Sequence, residues 1–554
     1  MMGEAGDVTR RTLLGGVAAA GAATLVGPAT GLADVLESPR SVFSRWVGFL
    51  SGQSAPIRPQ RRFSLVGVEW TGPAGARIEL RAQTPDGRWS AWAVASSLGH
   101  DPDGGRQISA LFGEPVWTGL AARVQVRSDL PVEGLRVHFV STLTRGAARS
   151  AQVLPQAQPV LHAGPGQPPI IARRAWAQGQ APPGHAPEYG TVKLAFVHHT
   201  VNPNGYSAAV VPSMLLGIFD YHRYVRGFWD IAYNFLIDAY GRIWEGRAGG
   251  IDMAVIGAHA GGYNAESTGV AVLGDFMDVV PSPAAIGALE HLLAWKLSLH
   301  GLPSVGQVTV VVDPADAFYT PFSPGAHISL PRVAGHRQGD STDCPGNAFF
   351  AALPSIRPRV AALAGTPARL TVTPALTVAT AGSPLTVSGL LGLRGGAPLT
   401  GAPVEVQQAR GPGAGHEPST IATATTASDG SWSVQVTLTR NTLLRALHRP
   451  FPATVADWML ITVGPAITLT VGSTSPLQVS GTVSPSKPHV IVDVYPAGNT
   501  NGKPLAKKRV PASQGSFSAT LPSPAPGSYV LVARTAADTA NGAGASPPVT
   551  VTAS

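Results

Sequence analysis

Ala195-Phe196-Val197-His198-His199-Thr200 is an apolar run that stops abruptly at two histidines. Aromatic and β-branched residues bounded by polar ones read as a strand. Side chains alternate faces along a strand, so His198 and His199 point to opposite sides and only one of them serves a given site. A second cluster lies far downstream, in Gly335-His336-Arg337-Gln338-Gly339-Asp340-Ser341-Thr342-Asp343-Cys344-Pro345-Gly346. It joins a histidine to the single cysteine of the chain. Two imidazoles and one thiolate are a donor set that zinc accepts in tetrahedral geometry, with water in the fourth position. Three protein ligands plus water is the catalytic arrangement, whereas a structural site takes four. The same residues leave two other readings open: Cys344 as a small buried apolar residue, or as half of a Cys/His nucleophile pair.

Outward from these segments, residues 170–363 alternate strand-like and helical patterns, which predicts one α/β domain. Met214 to Val225 carries Leu215, Ile218, Phe219 and His222 at helical spacing, and His222 reads as structural. Ser282-Pro283 supplies an N-cap and a first-turn proline for a helix through Leu299. Upstream, Arg77-Ile78-Glu79-Leu80-Arg81-Ala82 and Arg123-Val124-Gln125-Val126-Arg127 alternate apolar and polar residues, so 61–145 reads as a β-sandwich. Residues 34–60 and 146–167 read as linkers. Downstream the chain repeats itself. Pro384-Leu385-Thr386-Val387-Ser388-Gly389 returns as Pro476-Leu477-Gln478-Val479-Ser480-Gly481, and Gly430-Ser431-Trp432-Ser433 as Gly515-Ser516-Phe517-Ser518. The period of about 90 residues predicts two tandem immunoglobulin-like sandwiches, at 366–464 and 465–554.

Composition narrows the function classes. Hydrophobic residues make up 44% of the 554, which is ample for several cores, and no apolar stretch has the length of a polytopic membrane span. The net charge of +8 comes from scattered basic residues, with Lys507-Lys508-Arg509 as the longest run, which argues against nucleic acid as a partner. Thr9-Arg10-Arg11-Thr12-Leu13-Leu14, followed by mildly apolar residues to Val26 and small ones at Gly31-Leu32-Ala33, reads as a twin-arginine export signal over 1–33. The expectation is therefore a secreted or wall-associated protein without a stable membrane anchor.

Four segments resemble, in order, the type 2 zinc N-acetylmuramoyl-L-alanine amidases and peptidoglycan recognition proteins. They are Phe196–Thr200; Asp230-Ile231-Ala232-Tyr233-Asn234-Phe235-Leu236-Ile237; Gly257-Ala258-His259-Ala260-Gly261-Gly262-Tyr263-Asn264 with Thr268-Gly269-Val270; and Gly335-His336 through Cys344-Pro345-Gly346. Ile171-Ala172-Arg173-Arg174-Ala175-Trp176 resembles the family's domain start. The N-terminal sandwich and export signal resemble actinobacterial secreted forms. The resemblance implies a central amidase domain at 168–364, with a mixed β-sheet and flanking helices. It implies Zn2+ held by His198, His336 and Cys344, with His199 on the far face. It implies Tyr233 and Thr342 as catalytic residues stabilising the oxyanion. His259 and Asn264 match positions that line the substrate groove, Phe228 lies in the Arg226–Asp230 segment that helps select the stem peptide's diamino acid, and Trp244, with Glu245 and Arg247, borders the groove. Relatives that use a glutamate base carry it on the strand after the His259 segment; here that strand, Gly269-Val270-Ala271-Val272-Leu273-Gly274, has no acid.

The implied reaction is hydrolysis of the amide between N-acetylmuramic acid and L-alanine in peptidoglycan, with muramyl peptides as the partner. The β domains would supply contacts to cell-wall polymers or act as spacers. Two competing readings share the residues. A binding-only relative on this fold often lacks the cysteine, which is present here. A zinc peptidase acting within the stem differs only in its products.

Overall fold

The computed structural model describes residues 41–96, 103, 110–142, 166–409, 418–498, 500 and 502–553. The twin-arginine segment lies outside the described residues, as does nearly all of 146–167.

The N-terminal part is a seven-stranded antiparallel sheet. Its strands are β1 (Val42–Gln53), β2 (Phe63–Thr71), β3 (Ile78–Gln83), β4 (Ala93–Val94), β5 (Leu111–Phe112), β6 (Val116–Ala121) and β7 (Arg123–Val140). The alternation at 77–82 becomes β3, which buries Ile78, Leu80 and Ala82. The long β7 pairs with β1, β2 and β3. β1 corrects the reading of 34–60 as a linker. Its residues are mostly exposed, and bulges at Gly48 and Gly52 break the period of two. Hydrogen bonding to β7 holds it rather than burial, so it leaves no apolar pattern to read.

After β8 (Ile170–Ile171) and α1 (Arg174–Ala177) comes β9 (Leu194–His199). Then follow α2 (Val211–Tyr224), β10 (Phe235–Ile237), β11 (Ile243–Glu245), β12 (Ser267–Val272), α3 (Pro283–Leu299), β13 (Gln307–Val311), β14 (His327–Pro331), β15 (Val333–Gly335) and α4 (Asn347–Ala364). Six of these strands form one sheet in the order β15-β9-β12-β10-β11-β8. β15, β9, β12 and β10 are parallel, and β11 returns antiparallel to β10. All six residues of β9 are buried, as a central strand covered on both faces requires. Ala195 and Val197 point into a core shared with Leu289, Leu292, Leu293 of α3 and Phe349, Leu353, Ile356 of α4. On the other face, α2 lays Met214, Leu215, Ile218 and Phe219 against Leu236 and Ala271. Each such side chain contributes roughly 1.5–3 kcal/mol. α3 opens as its sequence predicts: the Ser282 hydroxyl accepts from Ala285 N–H at 3.1 Å, with Pro283 in the first turn.

The N-terminal sheet docks on α2. Leu65, Trp117 and Val140 join the α2 core. Ser41 donates to Asp220 (2.9 Å), and Tyr221 Oη donates to Gly113 O (2.9 Å). Gly67 makes room for this contact, since a Cβ there would lie 2.1 Å from the Tyr221 ring. Among the described residues the C-terminal region is built of strands and loops, with two large cores, one from Ala368 to Val463 and one from Ile467 to Val551. The sequence repeat is a repeat of register. Gly389 faces Trp432 in one unit, and Gly481 faces Phe517 in the next. A Cβ on either glycine would strike that ring, at 2.8 and 2.6 Å respectively. Arg445 of the first unit reaches the α/β domain through an ion pair with Asp252 at 2.7 Å.

Candidate metal centre

Strand alternation sorts the two histidines. His198 follows Leu194 and Phe196 to one face, and His199 follows Ala195 and Val197 to the other. The His199 ring nitrogen Nδ1 accepts from Phe276 N–H at 3.4 Å, away from the cluster. β15 lies beside β9 and ends at Gly335, so the 3-10 turn His336–Gln338 begins next to His198. The loop that follows returns Cys344 to the same spot. One donor atom each from His198, His336 and Cys344 lie within 4.8 Å of one another, and all three residues are buried.

Each imidazole presents one nitrogen inward and has the other engaged. His198 Nδ1 is 3.7 Å from Cys344 Sγ, and its Nε2 is 3.2 Å from His259 Nδ1. His336 Nε2 and Asp340 Oδ2 are hydrogen-bonded at 2.8 Å, and Nδ1 is the ring's other nitrogen. Asp340 also accepts from Gly261 N–H at 3.0 Å; burial pushes its carboxyl well above the usual range, against that bond. Burial likewise pushes the Cys344 thiol far up, against a 3.4 Å hydrogen bond from His199 N–H. Such a thiol ionises when a cation sits beside it. Two imidazoles, each with an engaged second nitrogen, and one buried thiol fit a zinc ion.

Tyr233 joins the group from the segment just before β10, rather than from within the strand, and its ring lies 5.4 Å from that of His198. Burial, with Glu114 nearby, raises its hydroxyl well above the ordinary tyrosine range, so it stays a proton donor. The Thr342 oxygen accepts from Cys344 N–H at 3.2 Å, a loop-shaping contact.

The four residues assigned to the groove lie inside the protein. His259, Phe228 and Trp244 have no exposed surface and Asn264 has 4%. His259 stands behind His198 as its orienting partner. Gly257 and Gly269 clear its ring, with Cβ positions 2.4 and 2.3 Å from His259 Cδ2. Asn264 Oδ1 accepts from His259 N–H (2.8 Å) and Ala260 N–H (3.1 Å), which shapes that loop. Phe228 stacks near His222 with the Arg226 guanidinium over its face. Trp244 is turned into the α2 core and donates Nε1–H to Asp238 at 3.0 Å.

Two groups escaped the sequence reading. Asp340 follows His336 by four residues, and that one-turn spacing was the signal for it. Glu114 comes from the N-terminal sheet and carries no local signal. It lies 3.4 Å from Arg226 Nη1 and 4.0 Å from His222 Nε2. Asp340→Asn is expected to weaken zinc binding about 10–100-fold with the fold intact, as losses of such orienting partners do. Competition against a chromogenic chelator measures this, and unchanged affinity removes Asp340 from the centre.

The N-acetylmuramoyl-L-alanine amidase family model matches residues 188–347. The Rv3811 N-terminal galactose-binding domain-like model matches 35–157. Peptidoglycan-recognition protein SC2 of Drosophila melanogaster is 30% identical over 177 residues, which are 32% of this chain and 80% of that protein. Peptidoglycan-recognition protein SA of the same fly is 36% identical over 127 residues, 23% of this chain and 60% of the relative. The N-acetylmuramoyl-L-alanine amidase of Homo sapiens is 31% identical over 193 residues, 33% of this chain and 28% of the relative. The matched stretch contains the whole donor cluster with Tyr233 and His259, and by it the chain belongs to the type 2 N-acetylmuramoyl-L-alanine amidase and peptidoglycan-recognition protein family.

Proposed function

We propose that this chain is a zinc hydrolase that cleaves the amide joining N-acetylmuramic acid to L-alanine in peptidoglycan. The observation that carries the reading is the buried His198, His336, Cys344 cluster with Tyr233 beside it. A protein that only bound muropeptides would need neither an oriented donor set nor a protonated tyrosine next to it.

Bound zinc would supply Lewis acidity toward the amide carbonyl and a coordinated water with its pKa lowered toward ~7. The chain does the rest. His259 and Asp340 hold the two imidazoles in the required tautomer. Thr342 and the His199 N–H hold Cys344 in place. Tyr233 keeps its proton at Oη and can donate it to the oxyanion that forms as the carbonyl is attacked. We also read the protein as exported, on the twin-arginine segment. The two C-terminal units would be immunoglobulin-like spacers or wall contacts. No helix among the described residues is long and apolar enough to cross a membrane.

Mass spectrometry of peptidoglycan fragments after incubation, with and without chelator, tests the reading. The expected products are free stem peptides beginning at L-alanine and glycans with bare lactyl groups, both lost with chelator. Shortened stems still on muramic acid would make it a peptidase. Intact fragments from the zinc-loaded protein, opened as described below, would leave a binding protein.

A further inference from the structure

The centre is shut. His198, Tyr233 and His336 have no exposed surface, and Cys344 has 4%. An amide carbonyl of a wall polymer has to reach these groups to be hydrolysed. The segment packed against His222, the neighbour of Tyr233, belongs to a different domain. Gly113 to Trp117, between and into β5 and β6, is buried, with Trp117 in the α2 core. Its Glu114 pairs with Arg226 at 3.4 Å and lies 4.0 Å from His222, whose ring is 5.9 Å from that of Tyr233. Trp117 N–H donates to Asn202 Oδ1 at 2.7 Å, just beyond β9. Asp103 of the same domain accepts from Trp229 N–H at 2.7 Å and pairs with Arg247.

We propose that the N-terminal domain is an intramolecular inhibitor whose Asp103 and Glu114 carboxylates occupy the cationic wall formed by Arg226, Arg247 and the Trp229 N–H, so that an acidic peptide ligand must displace them to reach the metal centre. This rests on the hydrolase reading above. Two features favour inhibition over a part in the reaction. First, Glu114 pairs with Arg226 and stands 4.0 Å from His222, whose ring is 5.9 Å from that of Tyr233, so it fills space on the approach to the tyrosine. Second, the contacts divide into two kinds. The body of the domain is fixed by apolar packing of Leu65, Val140 and Gly67 on α2. Glu114 and Asp103 instead make ion pairs, with Arg226 and Arg247, which an anionic ligand can replace in kind. A stem peptide carries free carboxylates, so substrate itself is the competing ligand.

The test uses the full zinc-loaded chain. Two rates are measured: removal of zinc by a chromogenic chelator, and release of stem peptide from a soluble muropeptide. The wild type is compared with an Asp103→Asn, Glu114→Gln double variant, which is near-isosteric, and with Gly67→Ala. The latter pushes the domain off Tyr221 and leaves every residue near the metal unchanged. Both forms are expected to lose zinc at least 10-fold faster and to turn over muropeptide at least 10-fold faster. Unchanged zinc removal in both variants overturns the closure. So does a fall in turnover with unchanged zinc removal, which would make Glu114 part of the reaction. Faster zinc removal with no muropeptide product from any form keeps the closure and rejects the hydrolase reading. If one variant fails to fold, the other decides by the same criteria.

Discussion

Cys344→Ser is expected to leave the protein folded, free of zinc after dialysis, and slower on muropeptide by ~10³-fold or more, since Lewis-acid stabilisation is worth several kcal/mol. The two atoms are close in size, but a serine hydroxyl does not ionise beside a cation as a thiol does. The fold survives because the loop does not depend on sulfur. Thr342 holds the backbone N–H of residue 344, and Arg337 N–H donates to its carbonyl at 2.9 Å. A near-isosteric change at one buried position costs about 1 kcal/mol in stability. Metal analysis, thermal melting and product release separate these effects. Stoichiometric zinc in the serine variant removes Cys344 from the ligand set. A large drop in melting temperature would mean that the metal is structural, as in four-ligand sites.

Much of this centre was legible because it follows from short-range rules. Period-two alternation separated His198 from His199. The Ser282-Pro283 cap and the apolar spacing at 214–225 marked two helices. What could not be read follows from long-range placement. His259 was assigned to a groove surface, but whether a loop histidine faces solvent or backs a ligand depends on the neighbouring strands. In the fold, Gly269 of β12 leaves the space that the His259 ring fills. Phe228 and Trp244 went the same way: an aromatic residue near a site is claimed by whichever core is closest, and here that core is the one around α2. The strand after His259 carries no acid. The carboxylate that acts on Tyr233 comes instead from Glu114, 112 residues before its partner Arg226. No local pattern encodes a contact between domains. β1 was missed for a related reason, since it is held by pairing with β7 and buries little.

Tyr233→Phe removes one oxygen and keeps the packing, in which the ring lies 5.4 Å from His198 and 5.9 Å from His222. If Oη donates to the oxyanion, kcat is expected to fall ~10²–10³-fold, with KM and zinc affinity unchanged, as for other single oxyanion donors. The hydroxyl is held well above its ordinary range, so it remains protonated through neutral pH, and its loss should scale the pH–rate profile without moving either limb. The closure complicates the wild-type comparison, because opening of the centre limits turnover there and hides part of a loss in the chemical step, so the measured drop is too small. The comparison belongs in the Asp103→Asn, Glu114→Gln background, where the site is already open. There the full factor should appear, and it should exceed the factor measured in the wild-type chain. Equal turnover of the tyrosine and phenylalanine forms in the opened background would show that Tyr233 only fills space beside His198, and the proton for the oxyanion would have to come from elsewhere.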